Sequence, residues 1–462
     1  MNWEVEVIKR KEALIQDTQS FLKIESVLNE EDAKEEQPFG EKVDEALQYM
    51  LKKGKAEGFT VKNVDGYAGH IEYGEGDEIV GVLCHVDVVP AGDGWTSAPF
   101  SAEIRDGKIF ARGAIDDKGP TMAAFYALNI LKDAGVQLSK KIRMIIGTDE
   151  ESDWRCVDHY FKHEEMPTIG FAPDADFPII HAEKGIIDAI VDFTYPAVSE
   201  ERVSLRYFSS GMRLNMVPDE ATALVSGNGL EDIKASFEAF LTEKEVTGEA
   251  TRVKEGLQLI LKGVSVHAME PAHGVNAGIH MAAFLSSQPI DEQGLAFTTQ
   301  IKALFEQDTR GHKLGIACQD EISGELTLNV GTIRYTQNEE AKLGLNIRYP
   351  VTSDGAKVKN GIESIKGATI QKFDDSPPHH VSSDHPLVKT LQRVYEEQTG
   401  DQAKLIAIGG GTYARSLEAG VAFGPLFPGR PDCAHQKDEY IEIDDLLRAT
   451  ALYAQAMYEL AK

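Results

Sequence analysis

Five short segments of this chain carry residues that can bind metal ions or move protons, and four of them follow an apolar run. His85 and Asp87 come after Ile79-Val80-Gly81-Val82-Leu83-Cys84. Asp116 comes after Phe110-Ala111-Arg112-Gly113, and Glu150-Glu151 after Ile142-Arg143-Met144-Ile145-Ile146-Gly147. Asp174 closes Ile169-Gly170-Phe171-Ala172-Pro173, and a late histidine, His435, stands in Cys433-Ala434-His435-Gln436. Open α/β sheets hold ligands beyond the carboxyl ends of their strands, so clusters placed after strands can converge on one crevice. Two histidines with three or more carboxylates form a donor set for one or two borderline cations such as zinc.

The spacing adds roles. In an extended segment His85 and Asp87 face the same way. His85 can then bind a metal while Asp87 accepts from its other ring nitrogen and fixes the tautomer. A carboxylate such as Asp116 can bridge two cations. Two adjacent ionised carboxylates, Glu150 and Glu151, repel unless a cation neutralises one; that leaves a ligand and a free general base side by side. The bland readings stand beside these. Other Glu-Glu pairs, such as Glu30-Glu31 and Glu339-Glu340, follow no apolar run and read as solvated charge. His159 and His163 have the spacing of a helical metal pair but sit in a polar stretch that reads as an exposed helix. His379-His380 falls in a polar segment and reads as solvated. Cys84 and Cys433, near the candidate histidines, read as inert packing.

The elements that must position these residues follow from periodicity and breakers. The chain has 462 residues, too many for one ordinary core, which points to two domains with one inserted into the other. Its net charge of −28, from 75 acidic and 47 basic residues, argues against nucleic acid or an anionic membrane as partner. No apolar run reaches the roughly 18 residues a span needs. Four scattered cysteines without finger spacing, and an acidic start unlike a signal peptide, point to a reduced cytoplasmic protein. Helices are expected at 5–23 and 41–57, strands at 60–64, 68–73 and 79–84, and a hairpin at 104–110. A helix at 120–134 and a buried strand at 141–147 complete an α/β alternation. Past Lys184-Gly185 the texture becomes α+β, with strands at 186–193, 257–263, 326–332 and 343–349 and helices at 230–241 and 275–285. Residues 374–378 read as a linker, followed by a helix at 386–398, a strand at 404–408 and a closing helix at 444–460. The expected domains are 1–184 and 383–462 as one catalytic unit and 185–382 as the insertion.

The ordered series His85-Val86-Asp87, Arg112-Gly113-Ala114-Ile115-Asp116-Asp117-Lys118-Gly119-Pro120 and Thr148-Asp149-Glu150-Glu151-Ser152 resembles the di-zinc peptidase family of aminoacylases, carnosinases and succinyl-diaminopimelate desuccinylases. Pro173-Asp174-Ala175-Asp176-Phe177-Pro178 with Ala182-Glu183-Lys184-Gly185 is similar to its PepV-type bacterial dipeptidase branch. The match runs over nearly the whole chain. It implies an α/β zinc-peptidase catalytic domain, with a mixed central sheet flanked by helices, plus an inserted α+β lid domain. Asp116 would be the bridging ligand, with a cis peptide after it. His85 and Asp174 would complete one zinc site, Glu151 and His435 the other. Glu150 would be the general base and Asp87 the orienting residue. The resemblance also implies substrate contacts from His267, Asn215, Arg348 and the loop carrying Gly409 and Gly410.

These residues have physical rationales of their own. Arg348 can pair with a peptide carboxylate through two hydrogen bonds, exposed amides of the Gly409–Gly410 loop can add donors, and His267 can donate to an oxyanion. Read without the resemblance, His267 is a satisfied core histidine, Arg348 a structural ion pair and the glycine run a plain turn. The expected activity is hydrolysis of dipeptides with a free N-terminus, β-alanine dipeptides such as carnosine included. Two Zn2+ per subunit are expected, with Mn2+ or Co2+ as substitutes, and a small peptide is the partner. An N-acyl-amino-acid deacylase or desuccinylase on the same centre is the nearest alternative. A silent peptide-binding protein and an assembly protein on the same fold are the others. The insertion of about 200 residues favours a monomer over the homodimer of many relatives.

Overall fold

The computed structural model describes residues 1–198 and 203–462. They form two compact units. The first comprises Met1–His181, His380–Ile406 and Thr412–Lys462, the second Ala182–His379 and Ala407–Gly411.

The first unit is built on a mixed sheet. Its strands include β1 (Thr60–Val64), β2 (Ala68–Tyr73), β3 (Ile79–His85), β4 (Lys141–Gly147), β5 (Ile169–Ala172), β6 (Ile179–Glu183) and β7 (Gly420–Ala422). Their spatial order is β1-β2-β4-β3-β5-β7-β6. β3 runs parallel to both β4 and β5, while β1, β2 and β4 pair antiparallel. All seven residues of β3 are buried. Strands covered on both faces need unbroken apolar side chains, which is why this one reads as a continuous hydrophobic run. Helix α1 (Lys118–Asp133) packs against the closing helix α3 (Ile443–Ala461). Both are buried along most of their length, so the alternating apolar face of a surface helix is absent from them. Helix α2 (Arg155–His163) carries a narrow apolar face, with Cys156, Val157 and Tyr160 buried. No helix among the described residues is long and apolar enough to cross a membrane.

The second unit is an all-antiparallel sheet of eight strands, running in space from Thr247–Val253 through Gly256–Lys262, Glu220–Gly227, Val203–Ser210, Thr327–Thr336, Glu340–Tyr349 and Gly185–Phe193 to Ala368–Ser376. Helices Leu230–Glu243, Ala277–Leu285 and Glu292–Phe305 close its core around Phe237, Phe284, Phe297 and Tyr335. Segregated helices on an antiparallel sheet make this unit α+β.

One local expectation is corrected, and His380 is exposed as expected of a solvated residue. Asp374, Asp375 and Ser376 are the end of the strand Ala368–Ser376, paired with Asp188, Ile187 and Ile186, where a linker was expected. Charged residues on an outermost strand keep it from pairing with other chains, and they also erase its apolar alternation. His379–His380 is a short strand, and the His380 ring lies 5.3 Å from that of His181.

Candidate metal centre and active site

Register places the candidate residues at one sheet edge. His85 ends β3 directly opposite Gly147, which ends β4, so Asp87 and Glu150-Glu151 leave neighbouring strands at the same level. Asp174 follows the end of β5. Asp116 comes from the turn before α1, and the Asp116–Asp117 peptide bond is cis. Gly119 lets this turn close, since a Cβ there would stand 2.1 Å from the Ala114 carbonyl oxygen. Asp117 holds it to the sheet by accepting from the His85 N–H at 3.1 Å and the Thr121 hydroxyl at 3.0 Å.

Asp116 lies between the two histidines. Its Oδ1 is 3.0 Å from His85 Nε2 and its Oδ2 is 3.0 Å from His435 Nε2. Asp174 Oδ1 is 3.7 Å from His85 Nε2, and Glu151 Oε1 is 2.9 Å from His435 Nε2. Potential ligand atoms of His85, Glu150 and Asp174 lie within 4.8 Å of one another, as do those of His85, Asp116 and Glu151. The His85 side chain is 0 % exposed and that of His435 50 % exposed, so the cluster opens to solvent on the His435 side. His435 itself has φ 62°, a left-handed conformation uncommon outside glycine.

Asp87 departs in detail from expectation. His85 Nδ1 donates to the Asp87 backbone carbonyl at 3.0 Å, while Asp87 Oδ1 is 3.4 Å away. The carboxylate accepts instead from the Glu151 N–H through Oδ2, at 3.0 Å. One residue thus orients the ring of His85 and the backbone of Glu151.

The electrostatics are those of a crowded anionic cluster. Burial, then the charge of Asp174, pushes the Glu150 carboxyl well above its usual range. Burial and Asp116 push Glu151 up to about 7, and the same causes push Asp174 up to about 6. Burial alone would raise Asp116 too, but hydrogen bonds from His435 and His85 hold it far below the usual value. Donating to the carboxylates of Asp116 and Glu151 pushes His435 up to about 11. Asp87 Oδ1 and Asp117 Oδ1 are buried with no hydrogen-bond donor. The surplus is one of acceptors and negative charge, which divalent cations would satisfy. The donor set of imidazoles and carboxylates suits zinc and its neighbours.

Sequence reasoning missed the support beneath Asp116. Glu439 is fully buried and takes the Arg112 guanidinium at 2.6 Å on Oε2. Its Oε1 accepts from the N–H groups of Ile115 at 3.0 Å and Asp116 at 3.4 Å. Arg112 also donates to the His435 carbonyl at 3.3 Å, so the pair ties the Asp116 turn to the His435 loop. An isolated arginine closing an apolar run was the available signal, since such a charge needs a buried partner. Glu439→Gln is expected to lower stability by about 3 kcal/mol. The low end of the buried-pair range applies because carbonyls of Pro90, Ala91, His435 and Gln436 still accept from Arg112. A single amide oxygen cannot serve both the guanidinium and the turn. Denaturant unfolding would measure the loss, and an unchanged midpoint would remove the pair from this role.

Tyr413 also went unnoticed. Its buried ring lies 6.1 Å from that of His85, and its hydroxyl is 3.0 Å from Cys156 Sγ. Cys84 is buried and its thiol is pushed well up by desolvation; burial pushes Cys433 up to about 11. Neither holds the thiolate that reactivity needs.

The other candidates belong to the second unit, where the structure gathers four of them. The Ala268 N–H donates to the Asn215 carbonyl at 2.9 Å, and Met216 bridges to His267. His267 is exposed rather than a core residue, and its Nδ1 accepts from the Met269 N–H at 3.2 Å. That bond leaves the proton of the neutral ring on Nε2. Partial burial and the nearby charge of Arg348 lower its basicity and favour the neutral form. Arg348 is buried, with Nε on Asn346 Oδ1 at 2.9 Å and Nη1 on the Gly409 carbonyl at 3.0 Å. Gly409 therefore contributes an acceptor that holds Arg348, and a Cβ there would meet Met269 Cβ at 3.0 Å. Gly410 is only partly buried beside it.

The description of Peptidase family M20/M25/M40 matches residues 81–459. A Bacillus subtilis (strain 168) protein named "Putative dipeptidase YtjP" is 64% identical over 463 residues, covering 100% of both chains. A Staphylococcus aureus (strain COL) protein named "Putative dipeptidase SACOL1801" is 44% identical over 467 residues, covering 99% of each. Human carnosine dipeptidase 1 shares the fold, with a TM-score of 0.57 at 14% identity over 99% of this chain and 98% of that one. Aminopeptidase PepT from Bacillus cereus ATCC 10987 gives 0.57 at 16% identity, over 98% and 99%. The chain is a metallopeptidase and belongs to peptidase family M20/M25/M40.

Proposed function

We propose that this enzyme is a dipeptidase that holds two zinc ions and hydrolyses dipeptides with a free N-terminus. The observation that carries the reading is Asp116 with one carboxylate oxygen on each of two histidines, beside Glu150. His85, Asp116 and Asp174 would hold one ion, and Asp116, Glu151 and His435 the other, with manganese or cobalt as substitutes. Bound there, the ions would supply Lewis-acid polarisation of the scissile carbonyl and acidify water.

The protein's own groups do the rest. Glu150 takes the proton of the attacking water and returns it to the leaving amine, so its buried carboxyl is both base and acid. Asp87 orients His85 and the Glu151 backbone. His267 supports the developing oxyanion through Nε2–H, which its Nδ1 acceptor bond makes the donor in the neutral ring. Arg348, held by Asn346 and Gly409, supplies the positive charge for the peptide carboxylate; Asn215 and Gly410 would complete the clamp. The names of the Bacillus subtilis and Staphylococcus aureus relatives support the dipeptide substrate. The four free cysteines support a cytoplasmic setting, and the length of the second unit supports a monomer.

The test is hydrolysis of Leu-Gly, β-Ala-His, a tripeptide and an N-acetyl amino acid, before and after chelation of metal-analysed protein. Cleavage of the two dipeptides alone, lost with the metal and regained with zinc, is expected. Preferred cleavage of the acetyl compound would move the activity to deacylation, and chelator-resistant cleavage would remove the metal from it.

A further inference from the structure

Away from the residues of the active site, the β1–β2 turn meets helix α2. Asp65 and Gly66 have φ 54° and 74°, and the Tyr67 N–H closes on the Val64 carbonyl at 3.0 Å. Asp-Gly is the pair that such a left-handed hairpin turn favours. The turn is further fixed by the Asn63 side chain, which accepts from the Gly66 N–H at 2.8 Å. Tyr67 stacks on the ring of His159 at 4.1 Å and 18°, while Asp65 Oδ2 stands 2.8 Å from His159 Nε2. One rigid turn thus holds this imidazole by its face and by one nitrogen.

His163 lies one helical turn further along α2, its ring centroid 4.3 Å from that of His159. Its Nδ1 is 2.9 Å from the His159 carbonyl oxygen. A carbonyl only accepts, so Nδ1 carries the proton and the lone pair of the neutral ring is on Nε2. Fixing one ring nitrogen as a donor to the backbone is how proteins prepare the other as a ligand. Ligand atoms of Asp65, His159 and His163 all lie within 4.8 Å of one another, with Asp65 and His163 exposed and His159 partly so. The 2.8 Å between Asp65 and His159 is also close to the separation of neighbouring ligands about 2.0–2.1 Å from an ion of octahedral or square-planar geometry, and a tetrahedral ion would draw them a few tenths of an ångström further apart. Two imidazoles and a carboxylate, with water completing the shell, suit a borderline transition metal and not a hard cation.

We propose that Asp65, His159 and His163 form a separate surface site for one divalent transition ion of the Zn2+, Ni2+ or Cu2+ class, which cross-links α2 to the β1–β2 hairpin. An ion bound only by the folded state stabilises it, so occupancy also raises the unfolding temperature.

The test starts from the holoenzyme with its catalytic ions in place, dialysed against Ni2+ and counted by metal analysis. The wild type is expected to take up one further equivalent and to unfold at higher temperature in its presence. His163→Ala changes an exposed side chain, and Asp65→Asn keeps a residue that the same turn favours. Each should weaken the extra ion by at least about tenfold, since even residues behind the ligands cost that much. Peptide hydrolysis without added Ni2+ should be unchanged in both, which shows that both fold. No further equivalent in the wild type, or wild-type affinity for it in either variant, overturns the proposal and leaves His159 and Asp65 as a structural contact between the helix and the hairpin.

Discussion

Glu150→Gln is expected to lower turnover by about 10²–10⁴-fold, the contribution of a positioned general base, while the protein keeps its full metal content. Glu150 is buried among Asp174, His85, Glu151 and Asp116, and burial raises its carboxyl first of all. Cations in the cluster would offset the neighbouring negative charges and bring the group back toward the range in which a carboxyl exchanges protons near neutral pH. Glutamine keeps the size and one acceptor oxygen but cannot take a proton from water or return one to an amine. Metal content separates this loss from a ligand effect, because the proposed ligand sets do not include Glu150. The loss should fall on kcat, with KM little changed, since the proton moves only as the bond breaks. Turnover near that of the wild type, at full metal content, would end the assignment of Glu150 as the base.

What could be read in advance depended on burial. β3 and β4 are covered on both faces, so their apolar runs mark the edge from which His85, Asp87, Glu150 and Glu151 emerge. The segment after Ile169–Ala172 places Asp174 in the same way. The His435 loop has no such frame. It is held by Arg112, by Glu439 and by an Asp432 side chain that accepts from the Ala434 N–H, contacts distant or irregular in sequence. Glu439 was invisible because one acidic residue among 75 carries no mark of being buried.

In the second unit, Val203–Ser210 went unread because a bulge between Leu205 and Tyr207 breaks the alternation that identifies a strand. Thr247–Val253 and Ala368–Ser376 lie at the two ends of the sheet, where solvent replaces one neighbour and polar residues replace the apolar pattern. At 5–23 one helix was expected and two form, Trp3–Ile8 and Lys11–Leu22, because Arg10 leaves helical geometry at φ −108° and ψ 2°.

Asp116→Ala is expected to remove both catalytic ions and with them the activity. Each carboxylate oxygen of Asp116 stands 3.0 Å from a different histidine, a placement that serves both halves. Loss of Asp174 should strip only the His85 half, and loss of Glu151 only the His435 half, so these variants should each retain about one ion by the donor counts that zinc requires. The three-way comparison separates a bridging ligand from a residue that merely supports the fold, because a general loosening would lower metal content alike in all three. Removing the ions also removes several kcal/mol of carbonyl polarisation, which is about 10³-fold or more in rate. Glu439 would still hold the turn through the Ile115 and residue-116 amides, so the variant should fold, with a far-ultraviolet spectrum like that of the wild type. Two tightly held ions in Asp116→Ala would show that the halves are independent sites and would end the bridged reading. One retained ion with residual hydrolysis would identify which half suffices for chemistry, and Glu150 would then be assigned to that half.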